Sequence, residues 1–128
     1  MSARAKRTGN VWHLGAVSLL ILFLTSGQAT AAEHRCGWLQ NPTPGNFSLR
    51  DRHGEWVLGV QGGYEAEGFD SMPDMTTAGW VETNGHYGYG CACLTVETDV
   101  KRRQVMRILS ARPVPLGQCR ADRRLPRP

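Results

Sequence analysis

Residues 83–97, with the sequence TNGHYGYGCACLTVE, decide the fold class of this chain. Asn84-Gly85 is its strongest hairpin signal, because both residue types accept the positive φ angles of a tight turn. After this turn the side chains alternate between two faces of a predicted strand over 86–97. The crowded face holds Tyr87, Tyr89, Cys91 and Cys93. The stretch therefore predicts a long strand that returns from an antiparallel hairpin.

The opposite face of this strand carries only Gly88, Gly90 and Ala92 in its first half. A strand face without large side chains lets another group approach the backbone closely. We expect a tryptophan of the same domain to cover it, because aromatic rings supply much of the buried area in a small core. The candidates are Trp38, Trp56 and Trp80. An open groove for a ligand is the alternative.

Outward from this strand, turn residues recur about every 8–12 residues, which is typical of all-β domains. A type I turn at 51–54 joins predicted strands at 46–50 and 55–61, and two more strands are predicted at 80–83 and 104–111. We expect Pro113 and Pro115 to end the last of these. Five strands in antiparallel hairpins predict an all-β fold, either a small antiparallel sandwich or a partly open barrel.

Three segments are predicted to lack regular structure. Residues 41–46 contain Pro42 and Pro44 and predict a turn or an extended loop. Residues 64–77 are acidic, have no helical period and predict an irregular loop. Residues 116–128 predict a coil tail of the same domain.

The first 31 residues have the order of a cleaved signal peptide, which we expect to form a signal helix. Basic residues (Arg4, Lys6 and Arg7) precede an apolar run at 14–24 and the cleavage pattern Ala29-Thr30-Ala31. We predict cleavage after Ala31, with Ala32 as the second choice, and a single mature domain over 32–128. A bilayer span needs about 20 apolar residues, so an uncleaved anchor is disfavoured and no stable membrane span is expected after cleavage. The predicted location is periplasmic or secreted.

All four cysteines lie in the predicted mature domain, which favours a framework of two disulfides in an exported chain. They are Cys36, Cys91, Cys93 and Cys119. A bond between Cys91 and Cys93 would close a very tight ring, and two side chains on one strand face diverge. We expect each to bond a terminal cysteine and favour Cys91–Cys119 with Cys36–Cys93, while the exchanged pairing stays open.

The net charge of +4 misrepresents the mature domain, because three basic residues belong to the signal peptide. From Glu33 to Asp99 there are ten acids and three arginines, whereas nine basic residues and one acid follow from Lys101 onward. We interpret this asymmetry as a basic C-terminal part that lies beside an acidic loop, with a basic tail for an anionic surface as the alternative. Nucleic acid is not an expected partner.

Several motifs in combination resemble one family of small exported bacterial proteins, which is catalogued as domain of unknown function 4087. They are CGWLQNPTPGN at 36–46, LxDxxGxW at 49–56, QGGY at 61–64, TNGHYGYGCAC at 83–93 and PLGQCRAD at 115–122. The resemblance covers essentially the whole predicted mature chain. It implies an exported single-domain protein with four paired cysteines. It implies no activity, and it transfers no catalytic residue.

The residues give little support to catalysis. A redox site would use Cys91 and Cys93, but the chain lacks a cation-rich setting for a reactive thiol. A soft-metal site would use the same two cysteines with His34 or His86, but the chain lacks a C-x-x-C zinc spacing. Hydrolase motifs such as G-x-S-x-G are also absent from the sequence. We expect no catalytic residue, no metal and no cofactor. A small periplasmic enzyme, or a thiol or metal protein, is the alternative function.

A binding or inhibitor-type module of the bacterial envelope is the favoured function, because rigid β domains present loops and aromatic rings to partners. We expect a monomer whose partner is an envelope protein or a glycan. The candidate binding residues lie in or near three turn-rich segments, at 41–46, 61–64 and 84–89. They are Trp38, Asn41, Asn46, Gln61, Tyr64, Asn84, Tyr87 and Tyr89.

Overall fold

The structure is a computed structural model that describes residues 2–5, 8–10 and 30–128. Most of the predicted signal peptide, including its apolar run and expected helix, lies outside these described residues and stays a prediction. Within the described part of the chain, no helix has the length and apolarity required to cross a membrane.

Six strands, a 3-10 turn and one short helix make up the domain. The strands are β1 (Glu33–Thr43), β2 (Asn46–Asp51), β3 (Gly54–Gly59), β4 (Val81–Asn84), β5 (Tyr87–Asp99) and β6 (Gln104–Val114). The 3-10 turn is Phe69–Ser71, between β3 and β4, and the helix α1 is Leu116–Ala121, after β6.

The sheet runs in the order β1-β2-β3-β6-β5-β4, and β1 also pairs with β5. This extra pairing bends the first five of these strands into a ring. The predicted all-β fold is confirmed, and of its two alternatives the partly open barrel is found, with six strands in a mixed sheet. β5 lies at the centre of the sheet, because it pairs antiparallel with β1, β4 and β6. The hairpin predicted at Asn84-Gly85 joins β4 to β5, with Gly85 and His86 in the turn.

The ring is weakest between β3 and β6, which run parallel and share one pair of residues, Val57 and Gln104. Part of the predicted irregular loop fills the remaining gap. Ala66 donates its N–H to Leu58 O at 2.8 Å, and Ile108 donates its N–H to Glu67 O at 2.8 Å. The loop therefore supplies a stretch of extended backbone that closes the barrel.

The expectation of loop over 41–46 was wrong for its first part, and β1 as a whole was not predicted. β1 pairs residue by residue with β5 from Glu33 to Asn41 and with β2 on its other side. Pro42 is the second-last residue of β1. The chain turns at Pro44-Gly45, where Gly45 has a φ of 72°. Backbone hydrogen bonds to β2, which follows after a two-residue turn, and to the distant β5 form this strand despite a sequence without clear alternation.

Two predictions about the C-terminal part were also wrong. β6 continues through Pro113, which lies opposite Ala92, and ends at Val114. The tail predicted as coil begins with α1, which starts directly after Pro115 and carries the buried Cys119. A proline fits the start of a short helix because its missing N–H would have had no partner there.

The two faces of β5 pack into different cores. Ala92, Leu94 and Val96 join the main core inside the barrel, which includes Trp56 and Val105. The cysteines of β5 face the other way into a second cluster beneath the C-terminal tail, with Trp38, Val114 and Cys119. The disulfides are Cys36–Cys93 and Cys91–Cys119, which confirms the favoured pairing.

Candidate functional site

The three predicted binding segments meet at one end of the barrel. Asn46 Oδ1 accepts the N–H of Gln61 at 3.0 Å, which joins the first segment to the second. Asn84 Nδ2 donates to Pro42 O at 3.4 Å, which joins the third segment to the first. The sequence thus identified loops that the fold places side by side.

The two asparagines of the first segment form hydrogen bonds with other residues of the same turn. Asn41 is buried and donates through Nδ2 to Thr43 O at 2.8 Å and to Asn46 O at 3.0 Å. Asn46 donates to Thr43 Oγ1 at 2.6 Å. These bonds hold the turn between β1 and β2 in shape. Both asparagines therefore support the site as well as being candidates for contact.

Two of the predicted aromatic residues lie under the C-terminal tail. Trp38 is 3 % exposed and donates through Nε1 to Pro126 O at 3.1 Å. Tyr89 packs edge-on against it, with 5.5 Å between the ring centroids. Neither ring is presented at the loop end of the barrel as an open platform.

Tyr64 anchors the acidic loop to β6, since its phenol donates to Val105 O at 2.6 Å. Burial raises the pKa of the Tyr64 phenol above its usual value, the charge of Asp99 acts in the same direction, and Arg102 opposes them. The remaining predicted residues are more accessible: Tyr87 is half-buried, and Gln61 and Asn84 are exposed. Ligand contact by any of these residues stays a prediction.

A cavity of about 250 Å³ opens at this end of the barrel, and we call it the aromatic cavity. Its apolar wall contains Phe47, Phe69, Met72 and Trp80. Phe47 follows the turn between β1 and β2, and the 3-10 turn brings Phe69 against it, with 4.9 Å between the ring centroids. Two residues that are more than twenty positions apart in sequence, Phe47 and Phe69, thus form part of the same cavity wall.

Trp80 covers the glycine face of β5, as predicted. A Cβ built on Gly90 would lie 2.8 Å from Trp80 Cε3, so no larger residue fits beneath the ring. Trp80 is held there by its Nε1, which donates to His86 O at 3.1 Å. The expected cover is therefore found, and the open groove along the glycine face is not.

The aromatic cavity has a polar border formed by Asn41, Asp74, Thr76 and His86. Thr76 donates to Asp74 Oδ1 through its hydroxyl at 2.6 Å and through its N–H at 2.9 Å. These hydrogen bonds lower the pKa of the Asp74 carboxyl, which is charged at neutral pH. From Tyr64 to Tyr89 the chain has five acids and neither lysine nor arginine. Asp74 therefore gives the border a negative charge, whereas Glu67 of the same stretch is paired with Arg107 at 3.5 Å.

Sequence reasoning missed the lining of this cavity. The signal was present in the acidic loop, where Phe69, Met72 and Met75 interrupt a polar stretch. Large apolar side chains in such a loop indicate that it folds back against the core. Met72 and Phe69 do pack against the main core.

A second cavity of about 340 Å³, the charged cavity, lies at the opposite end of the barrel. Arg35 Nη1 binds Asp51 Oδ2 at 2.7 Å, and Arg35 also pairs with Glu33. Asp51 Oδ1 accepts the indole N–H of Trp56 at 3.1 Å, and the Arg35 guanidinium lies 3.9 Å from the centroid of that ring. Most polar groups here bind one another, which is typical of a structural ion network.

The alternative of a thiol or metal protein requires free thiols, but all four cysteines are in disulfides. Cys91 and Cys93 belong to different disulfides, and both are buried. Their sulfurs carry no thiolate for a substrate or a metal in this state. His34 borders the charged cavity and His86 the aromatic cavity, so the two histidines lie at opposite ends of the barrel.

Comparison with known proteins yields one family. A family model described as "Protein of unknown function (DUF4087)" matches residues 30–126. No curated protein and no solved structure gives a significant match. The matched stretch contains the whole barrel, both disulfides and the aromatic cavity. The chain therefore belongs to the DUF4087 family of proteins of unknown function.

Proposed function

We propose that this protein is a monomeric, non-catalytic binding module of the bacterial envelope. Its aromatic cavity receives an apolar side chain from a partner polypeptide. The observation that carries the proposal is the composition of that cavity, which is lined by two phenylalanines, two methionines and a tryptophan together with a small set of polar groups. Binding pockets are typically apolar, with a few polar groups at the border.

The size of the cavity favours a side chain over a free small molecule. At about 250 Å³ it is smaller than the roughly 300–1,000 Å³ that drug-sized ligands occupy. A few anchor residues in well-packed pockets near the centre also supply most of the binding energy of a protein interface. Met72 suits this role, because methionine is flexible and adapts to different partner side chains.

The charge around the cavity favours a cationic partner. Asp74 lies on the border itself, and Asp70 and Glu82 flank the lining residues in sequence. A polypeptide with lysine or arginine beside its apolar anchor would complement this field and associate faster at low salt. A neutral glycan would gain no binding energy from the negative charges around the cavity.

Blocking the cavity tests the proposal. Peptides selected from a random displayed library by the wild-type protein are expected to carry an aromatic or aliphatic residue beside lysine or arginine. Met72→Arg should lower their affinity about tenfold or more, which corresponds to roughly 1.4 kcal/mol, because the new side chain fills and charges the cavity. Titration calorimetry measures the affinity.

Met106→Arg is the matched control, because Met106 is 46 % exposed on β6 and does not line the cavity. This variant should bind as the wild type does. Asp74→Asn keeps the acceptor for Thr76 but removes the charge, so it should weaken binding mainly at low salt. Equal binding by the Met72 and Met106 variants would disprove the site. Oligosaccharides that displace the selected peptides would point to a glycan instead.

Export to the periplasm or beyond is the second part of the proposal. Two disulfides in a small domain support it, since such bonds persist in oxidising compartments. We expect the protein recovered from an osmotic-shock fraction to begin at Ala32, as measured by intact mass. Deleting residues 14–24 should keep the protein in the cytoplasm with its N-terminus uncleaved. A full-length chain in the shock fraction would contradict cleavage at this position.

A further inference from the structure

His34, Cys36 and Cys93 form a compact group at the rim of the charged cavity. Their potential ligand atoms, one imidazole nitrogen and two sulfurs, all lie within 4.8 Å of one another. His34 Nε2 is 3.5 Å from Cys36 Sγ. Residues two apart on a strand share a face, so β1 presents His34 and Cys36 together, and Cys93 lies directly opposite Cys36 on β5.

The disulfide in this group is the more accessible of the two. Cys36 is half-buried and borders the charged cavity, and the neighbouring His34 is exposed. Cys91 and Cys119 are 1 % and 4 % exposed and lie beneath the C-terminal tail. Thiol exchange requires a thiolate to reach a disulfide sulfur. A reductant therefore reaches Cys36 Sγ first.

The backbone holds the three residues in place without the disulfide. β1 and β5 are joined by nine consecutive residue pairs, and the Cys36–Cys93 pair lies within that ladder, with pairs on both sides of it. β1 also pairs with β2 on its other edge. Reduction therefore leaves two thiols and an imidazole on a fixed strand pair.

We propose that reduction of Cys36–Cys93 converts this group into a His-Cys₂ site for Zn²⁺. A dithiol supplies two electrons and two protons, becomes a disulfide itself, and leaves two cysteine thiols on the protein. Zn²⁺ then displaces both thiol protons to water and binds two thiolates and His34 Nε2. These are preferred zinc ligands, and three protein ligands leave a fourth position that faces the cavity.

The state of the disulfide thus decides whether the site exists. With the two sulfurs bonded to each other, neither is a thiolate, and only His34 remains as a donor. The site is independent of the aromatic cavity, which lies at the other end of the barrel. Failure of one proposal leaves the other intact.

The test uses the exported protein in both redox states, with Co²⁺ as a coloured substitute for Zn²⁺. Limited treatment with a dithiol, followed by its removal, should expose two thiols that peptide mapping assigns to Cys36 and Cys93. The reduced protein should bind one Co²⁺ per chain with a sulfur-to-cobalt charge-transfer band, which Zn²⁺ abolishes. Zn²⁺ should also raise the melting temperature of the reduced protein and leave that of the oxidised protein unchanged.

His34→Ala should weaken metal binding by the reduced protein at least tenfold, while His53→Ala should not change it. His53 borders the same cavity but is not one of the three clustered residues, so it is the matched control. The proposal is overturned if His34→Ala binds like the wild type or if the oxidised protein binds equally well. It is also overturned if Cys91–Cys119 is reduced first, or if circular dichroism shows that reduction of Cys36–Cys93 unfolds the barrel.

Discussion

Replacing Asp51 with alanine is expected to lower the free energy of unfolding by about 3–5 kcal/mol. Asp51 is 3 % exposed, and its carboxylate binds Arg35, whose side chain is 12 % exposed. Removing Asp51 leaves the mostly buried Arg35 charge with a weaker compensation from Glu33, whose side chain is 32 % exposed. The same change removes the acceptor for the indole N–H of Trp56 and for the backbone N–H of His53.

Urea denaturation followed by circular dichroism measures this loss. Asp51→Asn keeps an oxygen for Trp56 and His53 but loses the negative charge, so it should fall between the wild type and the alanine variant. Asp70→Ala is the control, because Asp70 is an exposed acid in the loop and should change stability by no more than about 0.5 kcal/mol. A loss below about 1 kcal/mol for Asp51→Ala would show that the ion network is not structural.

Removing the second disulfide with Cys91→Ala and Cys119→Ala together should cost about 3–4 kcal/mol. The bond links residues 28 apart, and its loss restores the conformational freedom of that loop in the unfolded chain. The folded state changes too, because Cys119 holds α1 and the C-terminal tail over Trp38. The tail should detach and expose the Trp38 indole.

Thermal unfolding reports the stability change, and a red shift of tryptophan fluorescence under native conditions reports exposure of Trp38. Arg120→Ala is the control within α1, because Arg120 is exposed and its loss leaves the disulfide in place. It should change neither measurement. Native fluorescence that is unchanged in the double variant would mean that the bonds from Trp38 to Pro126 and from Arg50 to Arg127 hold the tail without the disulfide.

Much of the β architecture followed from local patterns. The hairpin at Asn84-Gly85, the turn at 51–54 and the alternation in β5 each depend on neighbouring residues, and the structure contains all three. Geometry within one strand also excluded a bond between Cys91 and Cys93, although it did not decide between the two remaining pairings. A tryptophan over Gly90 was also predicted, because glycine leaves room for an aromatic ring. The sequence did not indicate which of the three candidate tryptophans takes that position.

The candidate site was only partly predictable. The three binding segments were identified because turn residues cluster in them, and the fold joins them through Asn46 and Asn84. The aromatic cavity was not predicted, because its wall combines residues from β2, the 3-10 turn and the segment before β4. No periodic pattern connects such residues, since their proximity depends on how the acidic loop folds back.

By itself, the sequence determined the all-β class, the β2–β3 and β4–β5 hairpins and the absence of a Cys91–Cys93 bond, because turn chemistry and side-chain alternation act over a few residues. The tertiary structure alone decided that β1 exists, since its hydrogen bonds come from strands on both sides. It also decided the closure of the ring by the acidic loop and the start of α1 in the tail. β1 and the closure of the ring depend on backbone partners in β5 and β6 that are distant in sequence, and no local pattern encodes where such partners meet. The position of α1 depends on the long-range disulfide between Cys91 and Cys119.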